Sequence, residues 1–124
     1  MRLGIVGSRS FPRLDLVVAY VESLPKGTVV VSGGAIGVDL IAQTTAKECG
    51  LEVFPCDPDP DRGIAGLFER NTRIVQVSDV LVAFITHCRK CPPGRCRRGG
   101  WTHGTSDTVE KAQRVGKFGW GVWL

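Results

Sequence analysis

The chain is 124 residues long and 43% hydrophobic, enough to bury one core without disulfide staples and too short for a second domain. No apolar stretch approaches the roughly 20 residues of a membrane span, and residues 1–7 run straight into a strand pattern with no secretory signal, so the expectation is one soluble, cytoplasmic domain (1–124) with no membrane partner. The net charge is +4, but five of the 16 basic residues (Arg89, Lys90, Arg95, Arg97 and Arg98) lie in the acid-free stretch 86–98, and the other 11 face 12 acidic ones; the basic character belongs to one loop, which weakens the case for a surface built throughout for nucleic acid.

Short runs rich in Val and Ile alternate with longer amphipathic segments, the signature of βα units around a parallel sheet. The first strand is expected over residues 3–6. A first helix should run from Phe11-Pro12 to about Leu24, with Leu14, Val17, Val18, Val21 and Leu24 at helical spacing and Pro25 as the stop. Residues 28–31 give a second strand apolar enough to be covered on both faces. A second helix over about 37–49, capped by Gly50, leads to a third strand at 51–55. A loop rich in Pro and Asp (56–63) precedes a third helix from Ile64, with Leu67, Ile74 and Val77 as its apolar stripe, and a fourth strand at 80–85. Residues 86–103 lack periodicity and form either a long functional loop or a small metal knuckle. The last helix is expected over 105–115 and the last strand over 118–124, where Trp120 and Trp123 serve either the core or self-association into a homo-oligomer.

Three strand ends turn into helices through glycine-rich loops. Gly7-Ser8-Arg9-Ser10 offers close backbone approach, hydroxyls and a guanidinium to a phosphate. Ser32-Gly33-Gly34-Ala35-Ile36-Gly37-Val38-Asp39 places three glycines in five residues where bare N–H groups and a helix dipole meet, although it is neither the dinucleotide fingerprint nor a Lys-containing P-loop. Gly99-Gly100-Trp101-Thr102-His103-Gly104-Thr105-Ser106-Asp107 is the third. In an open parallel sheet the C-terminal strand edge is where ligands bind, so these loops converge on one candidate pocket. Arg70 and Arg73 on the third helix share a face from which a guanidinium could anchor phosphates.

These residues carry a resemblance. Gly7-Ser8-Arg9 with Phe11, Ser32-Gly33-Gly34-Ala35-x-Gly37-x-Asp39, Ala65-Gly66-x-x-x-Arg70-Asn71, Asp79 with Ala83-Phe84, and Gly104-Thr105-x-Asp107 together resemble the YspA-type branch of the SLOG superfamily over nearly the whole chain. That superfamily includes DprA and the LOG phosphoribohydrolases. The resemblance implies a Rossmann-like three-layer α/β fold with five parallel strands in the order 3-2-1-4-5 and helices on both faces. It also implies a nucleotide-derived ligand between the ends of strands 1 and 4, lined by Gly7, Gly33 and Gly104. In the phosphoribohydrolases an arginine and a glutamate carry N-glycosidic cleavage. Arg70 matches the arginine, but the glutamate position is Thr108, with Asp107 one residue early and Glu110 two residues late; one residue around a helix turns a side chain by about 100°. Asp107 is the candidate catalytic acid beside Arg70.

The spacing Cys88-x-x-Cys91-x-x-x-x-Cys96, with His87 and His103 beside it, supplies three thiolates and an imidazole, the donor set of structural zinc; three reduced thiols on a loop are the alternative. Three functions are compatible with the sequence. The pocket could bind a nucleotide-derived phosphate ligand as a sensor or processor. It could hydrolyse nucleoside monophosphates or ADP-ribose-like compounds, with Asp39 or Asp107 near the sugar. Or the basic loop could bind DNA or RNA, with Trp101 as a stacking surface.

Overall fold

The structure, a computed structural model, describes residues 1–92 and 94–124; Pro93, within the expected loop, lies outside them. Five strands, β1 (Arg2–Gly7), β2 (Val29–Ser32), β3 (Glu52–Pro55), β4 (Val80–Ile85) and β5 (Phe118–Trp123), form one sheet in the order β3-β2-β1-β4-β5 with every neighbouring pair parallel. Four helices connect them: α1 (Leu14–Glu22), α2 (Val38–Glu48), α3 (Gly63–Val77) and α4 (His103–Arg114). This is the expected Rossmann-like α/β fold.

Alternation along the central strands sorts the core into two layers, because successive side chains on a strand point to opposite faces. Leu3, Ile5, Val30, Val82 and Phe84 face Val17 and Val21 of α1 and Val38, Ala42 and Ala46 of α2. Val6, Val31, Leu81, Ala83 and Ile85 face Ile74 and Val75 of α3 and Val109 and Ala112 of α4. Central strands covered on both sides must be apolar at every position, which is why β4 reads Val-Leu-Val-Ala-Phe-Ile without a polar break.

Several boundaries differ from expectation. The third helix begins at Gly63, after a 3-10 turn at Pro60–Arg62 in which the Asp61 N–H donates to the Asp59 carboxylate. Its Leu67 is not core: the residue is 39% exposed, because it faces a cleft beside Ile64 and Phe68. Arg73 diverges from Arg70 and lies over the Phe54 ring at 5.9 Å. The last helix starts two residues early, at His103. Gly50 follows α2 at φ +74°, as its capping role requires. Trp120 is neither fully core nor free, since it packs edge-on against Tyr20 and Phe84 yet remains 40% exposed on the sheet's outer strand.

Candidate functional site

The strand order reverses direction between β1 and β4, so the loops leaving these two strands splay to opposite faces and open a crevice between them. A cleft of about 610 Å³ occupies that position. Its floor is the β1 end. The Ser8 N–H donates to the Phe84 carbonyl at 3.0 Å, the Thr86 N–H donates to the Ser8 hydroxyl oxygen at 2.9 Å, and Ser8 Oγ shares a 2.6 Å hydrogen bond with Thr102 Oγ1. Ser8 therefore stitches β1, β4 and the start of α4 together, and its hydroxyl is already partnered; the adjoining Arg9 and Ser10 are exposed on the cleft.

The second glycine loop packs directly on the first. Gly37 sits at φ +95°, and a Cβ there would stand 2.6 Å from the Arg9 carbonyl oxygen; a Cβ at Gly7 would run into Val38. Gly37 is glycine because two backbones meet, whereas Gly7 makes room for the Val38 side chain and also lines the cleft. Ser32 is buried behind them, donating to the Asp39 carbonyl at 3.1 Å and accepting from the Gly34 N–H at 3.4 Å. Arg70 reaches across from α3 and donates from Nη1 to the Gly33 carbonyl at 2.9 Å and from Nε to Asn71 Oδ1 at 3.1 Å; a Cβ at Gly33 would lie 2.5 Å from Nη1. Ser32, Gly33, Gly34 and Gly37 are thus behind the lining, while Ala35, Asp39, Arg70 and Asn71 are part of it.

Asp39 lines the cleft at only 6% exposure. Its carboxylate accepts from the Gly7 N–H at 3.2 Å. Burial pushes its pKa up to about 6, against the opposing pull of Arg70, the Ala35 and Gly7 N–H groups and Arg9. It is a carboxyl group poised to hold or release a proton near neutral pH.

The third glycine loop differs from the other two. Thr102 precedes α4 without a side-chain cap, and a Cβ at Gly104 would meet nothing within 4 Å, so Gly104 presents open backbone to the cleft. The N–H groups of a helix's first turn have no intrahelical acceptors and carry the positive end of the helix dipole. Opposite them, Ile64 (72% exposed), Leu67 and Phe68 (45% exposed) form an apolar wall.

Asp107 is not in the cleft lining. It is buried beneath α4, accepting from Asn71 Nδ2 at 3.2 Å and Lys111 Nζ at 2.8 Å with Arg98 at 3.6 Å. Glu110 pairs with Arg98 and Arg114, whose cations hold its carboxyl below the ordinary glutamate range. Thr108, one residue on, does line the cleft, and its hydroxyl donates to the Gly104 carbonyl at 3.1 Å.

The loop between β4 and α4 is folded back on itself. His87 and Trp101 form an antiparallel bridge with their rings stacked at 4.7 Å, and the Cys88 N–H donates to the Gly100 carbonyl at 2.6 Å. The Trp101 face expected to stack on bases is occupied by His87. The sulfurs of Cys88, Cys91 and Cys96 lie 3.5, 3.3 and 3.3 Å from His103 Nε2, and all four donor atoms fall within 4.8 Å of one another. A tetrahedron with zinc-type bond lengths has sulfur–nitrogen edges of about 3.5 Å, so these residues fit such an ion and the cluster could hold a metal. Backbone N–H groups of Lys90 and Cys91 lower the Cys88 pKa, whereas burial and the neighbouring sulfurs push Cys91 up to about 11. Cys56 is a buried core thiol as its strand-end position implies, and Cys49 is exposed. Cys88 and His103 also line the cleft, as do Arg89 and Lys90.

Comparison with known proteins agrees with this architecture. The family model for DNA recombination-mediator protein A matches residues 1–56. The X-ray structure of DNA processing protein A (DprA) from Streptococcus pneumoniae superposes with a TM-score of 0.70 at 17% identity, over 94% of this chain and 48% of that one. The chain is similar to DprA in fold and spans about half its length. No curated protein matches the sequence.

Sequence reasoning brought the three loops and Arg70 to one place but missed the apolar wall and the lining role of Arg89 and Lys90. Leu67 at a core-like helical spacing hid the first; the second needed the metal-like cluster's position, which no residue count reveals.

Proposed function

We propose that the cleft binds a nucleotide or nucleotide-derived phosphate ligand, as expected for the YspA-type branch of the SLOG superfamily. Phosphate oxygens would accept from the first-turn N–H groups of α4 and from Arg9, and the base or another flat apolar part would lie against Ile64, Leu67 and Phe68. The observation that carries this is the juxtaposition of an uncapped, open helix N-terminus at Gly104 with exposed apolar side chains across a 610 Å³ cleft at the sheet's reversal point. Arg70 then acts as a positioning residue, holding the second glycine loop by its Gly33 carbonyl while its charge faces the site.

N-glycosidic hydrolysis is a second activity favoured by one observation. Asp39, with a pKa near 6, is the carboxyl group in the cleft, whereas Asp107 is engaged by Asn71, Lys111 and Arg98. A general base at the sugar would be Asp39, activating water as its carboxylate and receiving the proton. Nucleic-acid binding by the loop draws on fewer cations than the sequence shows, because Arg98 is committed to Asp107 and Glu110. Similarity to DprA keeps a strand's phosphates among the ligands to test. We assign Zn²⁺ to the Cys88, Cys91, Cys96 and His103 cluster, where it would cross-link the loop to the first residue of α4.

A thermal-shift and mass-spectrometric screen against nucleoside mono- and diphosphates, ADP-ribose, NAD and a short oligonucleotide tests these assignments. Stabilisation that is lost on introducing a side chain at Gly104 (Gly104→Val), with no product, identifies a binder. Base release that disappears in Asp39→Asn identifies a hydrolase. No shift with any small ligand contradicts the proposal.

A further inference from the structure

The cleft and the thiol cluster share residues. Cys88 and His103 belong to both, and Arg89 and Lys90, the two residues enclosed by the Cys88–Cys91 pair, are exposed on the cleft. Among the described residues neither cation makes a salt bridge. The base of the loop is fastened by the His87–Trp101 bridge and the Cys88–Gly100 hydrogen bond, whereas Cys91 and Cys96 farther along reach the body through their sulfur–imidazole contacts with His103 and a Cys96 Sγ to Trp101 carbonyl contact of 3.8 Å. Resting on the nucleotide reading of the cleft, we propose that metal bound by Cys88, Cys91, Cys96 and His103 sets Arg89 and Lys90 over the cleft as phosphate ligands, so that metal and anionic ligand bind with positive coupling.

Two physical points support this. Without a cation the cluster is joined only by weak thiol–imidazole contacts of 3.3–3.5 Å, which tether the loop far less firmly than metal bonds would. His103 begins α4, so the same ion anchors the helix whose first-turn N–H groups face the cleft. The metal organises two walls of one anion site without touching the ligand.

The test compares zinc-loaded protein with protein stripped by a chelator under reducing conditions, using ADP-ribose as the probe and circular dichroism to verify that the sheet persists. Each lost charge-assisted contact is worth about tenfold or more in affinity, so stripping should weaken ADP-ribose binding at least about tenfold. By linkage, saturating ADP-ribose should raise zinc affinity by the same factor, read in competition with a chromophoric chelator. The double variant Arg89→Ala, Lys90→Ala should retain one zinc per chain and bind ADP-ribose as weakly as stripped protein. Stripped, folded protein that binds as tightly as loaded protein overturns the coupling and leaves the nucleotide site standing. Loaded protein that ignores ADP-ribose overturns both.

Discussion

The glycine loops after β1 and β2 and the cysteine loop after β4 border the same cleft but are fixed in different ways. The first two are packed on each other, with Gly37 against the Arg9 backbone and Gly7 against the Val38 side chain, and the second is tied to α3 by the Arg70 bond to the Gly33 carbonyl. The third brings the donor atoms of Cys88, Cys91, Cys96 and His103 within 4.8 Å of one another, a cluster that could hold a metal ion. One wall of the site is built into the folded core, and the other, on the proposal above, would depend on what the loop binds.

Substitutions in the two regions should therefore differ sharply. Gly37→Ala forces a left-handed residue into backbone contact and is expected to cost about 3–4 kcal/mol, on the order of 10 °C in melting temperature; a loss under 1 kcal/mol would show that the loops can separate cheaply. Asp39 should impose a pH dependence of up to about 3 kcal/mol, the worth of its shift from 3.8 to about 6. Because the folded-state pKa is raised, that contribution is complete below about pH 4 and is lost as pH rises through 6. Asp39→Asn should flatten the melting temperature across that window, and an unchanged slope would place the titrating group elsewhere. Arg70→Ala is expected to cost about 1–2 kcal/mol through the lost hydrogen bond at Gly33. It should also move the Asp39 pKa further upward, measured by carboxyl-carbon NMR, since the guanidinium opposes the burial effect. In the cysteine loop, Gly94→Ala also places a side chain at positive φ, but with nothing within 4 Å, so its cost should be about 1 kcal/mol or less.

Much of the fold was legible because it follows from short-range chemistry. The apolar runs of β1, β2 and β4 announce strands covered on both faces, and Pro25 and Gly50 mark helix ends. The strand order came from the family resemblance of the ordered motifs, since periodicity alone does not fix which strands are neighbours. The site was legible in part. Glycines at strand ends marked the cleft, but Gly37 proved to be a packing position, Gly7 both packs on Val38 and lines the cleft, and Gly104 is the open one, a distinction set by what stands opposite each Cα. Asp107 looked catalytic by its place in the motif. Lys111 one turn later and Arg98 from the loop claim its carboxylate, and those partners are visible only once α4 and the loop are placed together. Leu67 showed a helical spacing that burial and ligand contact satisfy equally well.

The most direct test of the central claim is an amide NMR titration of isotope-labelled, zinc-loaded protein with ADP-ribose. The account predicts that the first amides to shift are those of Ser8, Arg9, Gly104 and Thr105, together with the side-chain methyls of Ile64 and Leu67. Shifts confined to Arg95 and Arg97, or to β5, with the Gly104 and Thr105 amides unmoved, would contradict it.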